Sequence, residues 1–279
     1  MMEKLFNIDR RIIFVFIALS VLIPFLVDFD LPIVANKNVK KVYNKIENVG
    51  KKGGTILMSF DFDNSTKAEL EPAAIAILSH AFMSGAKVVG IGNWPNGVAL
   101  AKQIFAKVSK EYKKENGKDW AYLGYKSGAG LFMRSLSTDF QGTLPTDSRG
   151  IKTSKLPITR NIRTIRDIDY VISLSAGNGG IEEWIVFSQS KFNYDFGGAC
   201  TAVMAPDFFP FLQSGQLSGL LGGLAGAAQY EKLINKPSTA TKGIKPQSVA
   251  HLVLIFFILF GNICFLGNRY LEKRKRGQQ

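Results

Sequence analysis

The sequence predicts an α/β fold, a mostly parallel sheet of about five to seven strands flanked by helices, with one transmembrane helix at each end. Three observations predict it. Two long apolar runs without Asp, Glu, Lys or Arg lie near the ends, residues 12–27 (IIFVFIALSVLIPFLV) and 249–266 (VAHLVLIFFILFGNICFL). Between them, short apolar runs of strand length alternate with stretches of helical period, the pattern of a parallel sheet covered on both faces. The 279-residue chain leaves enough length between the runs for one domain with a substantial core.

A helix needs about 20 mostly apolar residues to cross the hydrocarbon core, and about 17 at the least. The second run meets this and predicts a span at 249–267. The first needs flanking residues and is expected to span 12–34. Its alternative is a signal peptide, with Lys4, Arg10 and Arg11 as the basic start and Ile33-Val34-Ala35 as the cleavage site. A retained anchor is expected, because Ile33 stands where cleavage wants a small residue. A buried core helix would need protein on every face.

The basic flanks set the orientation. Arg269, Lys273, Arg274, Lys275 and Arg276 oppose only Glu272 in the tail, 268–279, which places it in the cytoplasm. Lys4, Arg10 and Arg11 precede the first run and Asp28 and Asp30 follow it, so segment 1–11 is expected to be cytoplasmic too. The rest then lies outside, in a bacterial or archaeal envelope: a basic juxtamembrane segment 35–52, an α/β domain 53–236 and a linker 237–248.

Charge narrows the partners. The chain carries +13; segments 1–35 and 248–279 carry −1 and +4, which leaves +10 for the exposed middle. Outside the cytoplasm such an excess meets lipid headgroups, polyanionic polymers or acidic proteins, and no nucleic acid is expected. The lipid bilayer and a protein partner in a membrane complex are the expected contacts. Lys37, Lys40, Lys41, Lys45, Lys51 and Lys52, opposed by Glu47 alone, read as a solvated helix, with headgroup contact as the alternative. Cys200 stands alone in the domain and Cys264 in the second run, so no intradomain disulfide or cysteine zinc site is expected. Two histidines, His80 and His251, are too few for a histidine zinc centre, and neither metal nor cofactor is predicted.

The elements follow in order. Residues 55–60 (TILMSF) read as the first strand and 72–83 as a helix with Pro72 in its first turn. Residues 87–91 form the second strand, Asn93-Trp94-Pro95-Asn96-Gly97 a turn, 98–112 a helix and 120–125 the third strand. Residues 128–157 lose periodicity and read as a long surface excursion. Strands are then expected at 170–174, 184–187 (WIVF), 199–204 (ACTAVM) and 219–221, with a helix at 224–234. Gly215, Gly219, Gly223 and Ala227, four apart, suggest a smooth packing face on a helix, and a strand breaking at Gly222-Gly223 fits equally well.

Ligands of parallel sheets bind at the carboxyl ends of the strands, so the strand exits carry the candidate sites. The first exit is Asp61-Phe62-Asp63-Asn64-Ser65-Thr66, where two carboxylates two residues apart follow an apolar strand. This run resembles the opening motif of haloacid-dehalogenase-type phosphohydrolases. The resemblance implies Asp61 as nucleophile, Asp63 as acid/base and Ser65 in place of the usual Thr. That family's later acidic pair is missing from its expected context; only Glu182-Glu183 and Asp207 follow later strands. The plainer reading is that Asp63, Asn64 or Ser65 caps the next helix.

A second candidate is Ser175-Ala176-Gly177-Asn178-Gly179-Gly180, whose backbone N–H groups suit an anion although the Gly-Lys-Ser/Thr ending of a phosphate loop is absent. With Asn93, Gly222 and Gly223, its residues Ser175, Gly177, Asn178, Gly179 and Gly180 are the expected ligand contacts. Arg149, Lys152, Lys155, Arg160, Arg163 and Arg166, with no acid between them, are the expected contact for an acidic protein or polyanion, interleaved with Ile151, Leu156, Ile158, Ile162 and Ile165. His80 falls in an apolar helix, and neither a Ser-His-Asp triad nor a pair with Cys200 is expected. The expected function is a non-catalytic binding or scaffold subunit of a membrane assembly. The alternatives are a metal-dependent phosphohydrolase using Asp61 and Asp63, and a small-ligand receptor.

Overall fold

The computed structural model describes residues 9–27, 29 and 31–276. They fall into two compact units, Ile33–Thr241 and the terminal segments up to Pro32 and from Lys242. The helices are α1 (Arg10–Leu26), α2 (Lys37–Lys51), α3 (Lys67–Ser84), α4 (Val98–Glu111), α5 (Ala129–Thr138), α6 (Phe140–Thr143), α7 (Ile181–Trp184), α8 (Phe209–Gln213), α9 (Gly223–Leu233) and α10 (Thr239–Arg276). The strands are β1 (Thr55–Asp61), β2 (Lys87–Gly92), β3 (Trp120–Tyr125), β4 (Tyr170–Ser175), β5 (Phe196–Cys200) and β6 (Leu220–Gly222).

The six strands form one all-parallel sheet in the order β3-β2-β1-β4-β5-β6. From β1 the chain builds outward to β3, returns to lay β4 against the other side of β1, and builds outward again. Such a doubly wound sheet reverses between β1 and β4, and the crevice beyond their carboxyl ends is where it places ligands. Because side chains alternate across a strand, the register Ala121-Val89-Leu57-Val171-Phe196 makes one apolar row across five strands. All five are buried, under α5, α6 and the start of α7. The opposite face carries Ile56, Met58 and Ile172 beneath α2, α3, α4 and α9.

Several elements depart from expectation. Residues 184–187 are helical, with Trp184 ending α7 and Ile185–Gln189 forming a π-helical turn. A four-residue apolar run reads alike in helix and strand, and here Glu183 favours the helix: its Oε2 accepts from Gly180 N at the helix start, 3.0 Å away. β5 lies three residues before the expected 199–204. Gly197 and Gly198 hide it in the sequence, yet a side chain at either would collide with Tyr170 or Ile181. Pro72 sits in the second turn of α3, because the helix already starts at Lys67.

Residues 128–157 are no surface excursion, since α5 and α6 bury Phe132, Met133, Leu136, Phe140 and Leu144 over the sheet. The expected linker 237–248 is mostly helix, because α10 runs unbroken from Thr239 through Pro246. Buried Glu231 holds its start, accepting from the backbone N–H of Ser238, Ala240 and Thr241 and from the Thr241 hydroxyl at 2.7–3.0 Å. Gly215, Gly219 and Gly223 fall in a turn, beside α2 and at a helix start, so they share no helix face.

Among the described residues one helix is long and apolar enough to cross a membrane, Thr239–Arg269 within α10. The anchor expected at 12–34 is only partly met, because α1 is apolar but has 17 residues and Val27 after it is already extended. Within this unit Phe16 meets Phe257 edge-on, with ring centroids 5.9 Å apart. Asp28, Asp30 and Lys4 lie outside the described residues.

Candidate functional site

Asp61 ends β1 at the reversal of the sheet and is fully buried. Alternation along β1 puts Ser59 on the same face, and the parallel register puts Ser173 of β4 opposite Ser59. Both hydroxyls turn to the carboxylate, Ser59 Oγ to Oδ1 at 2.8 Å and Ser173 Oγ to Oδ2 at 2.9 Å. Asn93, just past β2, adds its backbone N–H at 2.9 Å and its side-chain Nδ2 at 3.0 Å, both to Oδ1. Four neutral donors thus converge on one buried carboxylate. Desolvation nevertheless outweighs them and pushes the carboxyl up to about 6. Asn93 Oδ1 and the buried Tyr122 hydroxyl find no hydrogen-bond partner among the described residues. Burial, reinforced by the charge of Asp61, holds the Tyr122 phenol well above its ordinary value.

Asp63 is partly exposed and turned to its own loop. Its Oδ1 accepts from Ser65 N at 2.9 Å and Ser65 Oγ at 2.6 Å, bonds that hold the carboxyl below its usual range. The expected cap on α3 therefore does not form, and Thr66 precedes the helix without a side-chain cap bond. With Asp61 sealed and Asp63 in solvent, no group of three His, Cys, Asp or Glu able to hold a metal exists among the described residues. A dinucleotide site in a sheet of this order needs a glycine-rich turn after β1, and residues 61–66 contain no glycine.

The turns after β2 and β4 do meet. Trp94 Nε1 donates to Asn178 O at 2.8 Å, and the indole lies over Gly177, where a Cβ would approach it to 3.4 Å. Gly179 has a φ of +82°, which favours glycine, and faces Asn93 and Trp94. Ser175 is buried and bonds Gly177 O. Gly180 N, one of the N–H groups expected for an anion, is already taken by Glu183. Asn93, Ser175, Gly177, Asn178, Gly179 and Gly180 thus form one cluster roofing the crevice. Gly222 and Gly223 stand apart from it, at the end of β6, two strands or roughly 10 Å beyond β4. Gly223 packs against Ala202 and Glu69.

The basic stretch is exposed as a whole, but its apolar residues are not available. Leu156, Ile158, Ile162 and Ile165 are buried in the core, and only Ile151 remains in solvent, so the apolar half of the expected docking surface is absent. The reason is that the stretch runs over the sheet and its branched side chains fill the space beside α5 and α6. Arg149 pairs with Asp147 at 2.8 Å, and Arg163 donates to Gln141 at 3.2 Å. Lys152, Lys155, Arg160 and Arg166 have no ion pair among the described residues.

One cluster has no counterpart in the sequence reading. His80 of α3 is buried between Glu47 of α2, whose Oε2 lies 2.9 Å from Nε2, and Tyr230 of α9, whose hydroxyl lies 2.7 Å from Nδ1. Tyr43 stacks on the imidazole at 4.4 Å. Burial lowers the imidazole below its ordinary value against the pull of Glu47, while the bond from His80 draws the Glu47 carboxyl down. The neutral ring donates to Glu47 and accepts from Tyr230, so every polar atom in the chain of contacts is used. A lone histidine on an apolar helix, and a lone Glu47 among lysines, are the signals that each needed the other.

Comparison with known protein families, curated sequences and solved structures finds no match to this chain.

Proposed function

We propose that the chain is a membrane-anchored, non-catalytic binding or scaffold subunit whose α/β domain faces away from the cytoplasm. α10 supplies one anchor. The shorter α1 supplies the second, and the basic residues at each end keep both ends of the chain in the cytoplasm. The observation that carries the non-catalytic reading is the burial of Asp61. At the place where a sheet of this order performs chemistry, its carboxylate is sealed from solvent and all its near donors belong to the scaffold. A phosphohydrolase needs that carboxylate open to attack phosphorus in line with the leaving oxygen.

Binding then falls to the roofed crevice and, elsewhere on the domain, to Lys152, Lys155, Arg160 and Arg166, which have no ion pair among the described residues. A small-ligand receptor is the second reading, and a single exposed hydrogen bond from Trp94 closing two turns over the crevice favours it. Charge reversal at Lys155, Arg160 and Arg166 in the full-length chain should cut recovery of co-purifying membrane partners several-fold; undiminished recovery would remove the basic stretch as the contact. Magnesium-dependent phosphate-ester turnover that vanishes in Asp61→Asn would instead establish the enzyme.

A further inference from the structure

A groove runs along α2 at the β6 end of the domain, between the helix and the segment 209–218. Its first part, about 390 Å³, is lined by Lys37, Asn38, Lys41, Phe209, Leu212 and Gln213. A second part of about 350 Å³ continues past Lys41 and Leu212 along the same helix face. Lys37 and Lys41 stand one turn apart, are exposed, and have no ion pair among the described residues; Lys45 beyond them is held by Asp195 at 2.6 Å. Opposite them Phe209 is 47% exposed, and Val203 on the same crossover is 85% exposed. Cations beside half-solvated aromatic and aliphatic side chains match an interface that is anionic outside and oily beneath.

We propose that this face of α2, with Phe209, docks on anionic phospholipid headgroups. The proposal rests on the reading that α10 lies in a bilayer. Chain length supports this occupant over a soluble one: about 11 residues separate Leu26, the end of the apolar α1, from Lys37, so even fully extended the lysine stays within about 36 Å of that helix end. A tether that short keeps headgroups at a local concentration that free anions do not reach. The phosphates pair with Lys37 and Lys41, and Phe209 enters the acyl boundary. Headgroup contact thereby becomes a property of one helix face, where the sequence offered only a run of lysines.

The test uses the full-length chain in nanodiscs of phosphatidylcholine alone or with about a third phosphatidylglycerol, reading the acylation rate of each lysine by mass spectrometry. Lys37 and Lys41 should react about fivefold more slowly in the anionic discs, and the difference should disappear in high salt or in Phe209→Asp. Lys102 and Lys110, exposed on α4, should react equally in both. Equal rates at Lys37 and Lys41 in discs that hold the protein would overturn the docking and leave the anchor standing. Protection in neutral discs by inorganic phosphate or polyglutamate, with none from phosphatidylglycerol, would assign the groove to a free anion or acidic chain and overturn it too. Failure to enter discs of either composition would overturn the anchor, and the docking with it.

Discussion

Asp61 and His80 are both buried in one domain, Asp61 where three strands meet and His80 where three helices cross, and burial drives each toward its neutral form. The two clusters differ in how complete they are. Neutral His80 offers one donor and one acceptor, and Glu47 and Tyr230 take both. Asp61 is ringed by donors without a cation among them, and Asn93 Oδ1 and the Tyr122 hydroxyl are left over nearby. The helix cluster is a finished joint that supports the fold at neutral pH. The strand cluster opposes the fold once it is ionised, and it lies where doubly wound sheets receive ligands.

The largest effect that would break this contrast is expected at His80. His80→Ala removes both contacts, leaves the Tyr230 hydroxyl buried without an acceptor and opens a cavity, so it should lower unfolding free energy by about 3–5 kcal/mol. Chemical denaturation of the full-length protein measures it, and a loss under about 1 kcal/mol would mean the joint is not structural.

Asp61→Asn should act with the opposite sign. Burial pushes the native carboxyl up to about 6 from its ordinary 3.8, so between those values the folded state binds the proton more tightly and gains stability as pH falls. Above about 6 the buried charge weakens the fold, by up to about 3 kcal/mol for a shift of this size. The amide removes that loss, so its advantage should be greatest above pH 7 and vanish near pH 4. His80 slopes the other way: its lowered value means stability is full above the ordinary imidazole range and falls as pH drops through it. Asp61→Asn should therefore lose stability on acidification more steeply than the parent chain. A variant less stable than the parent at pH 8 would overturn this, showing that the contacts of the ionised carboxylate outweigh its desolvation.

The smallest effect is expected at the roof of the crevice. Trp94→Phe removes one exposed hydrogen bond to Asn178 and should change stability by about 1 kcal/mol or less. Faster backbone amide exchange confined to residues 93–97 and 176–180 would confirm that this bond closes the two turns; unchanged exchange there would show that packing alone does.

Much of the sheet is readable from sequence because β1 to β4 are continuous apolar runs, as strands covered on both faces must be. β5 is not, since Gly197 and Gly198 carry no side chain to signal a strand and matter only for what Tyr170 and Ile181 put in their place. At the site, Asp61, Asn93 and Ser175 are readable as strand exits, and the structure joins them. Ser59 and Ser173 are not, because a serine inside an apolar run shows its purpose only once the register sets it beside a carboxylate. Glu47, His80 and Tyr230 stand 33 and 150 residues apart, and no local pattern links them. The basic stretch keeps its charges in solvent but buries Leu156, Ile158, Ile162 and Ile165, because spacing in an irregular segment carries no information about which side faces in.

Both ends of the α/β domain fasten to α9 within one turn: Asn36 N donates to Gln229, 193 residues away, and Glu231 collects the chain as it enters α10. During synthesis α2 is among the first parts of the domain to emerge and can pack on α3 early, but the fastening of its start waits for α9. Until then its lysine-rich face remains solvated beside an unfinished sheet. A ribosome stalled before Gln229 would hold a domain whose first helix already packs on α3 but lacks the contact that fastens its start, while a few residues more would let both ends be sealed together.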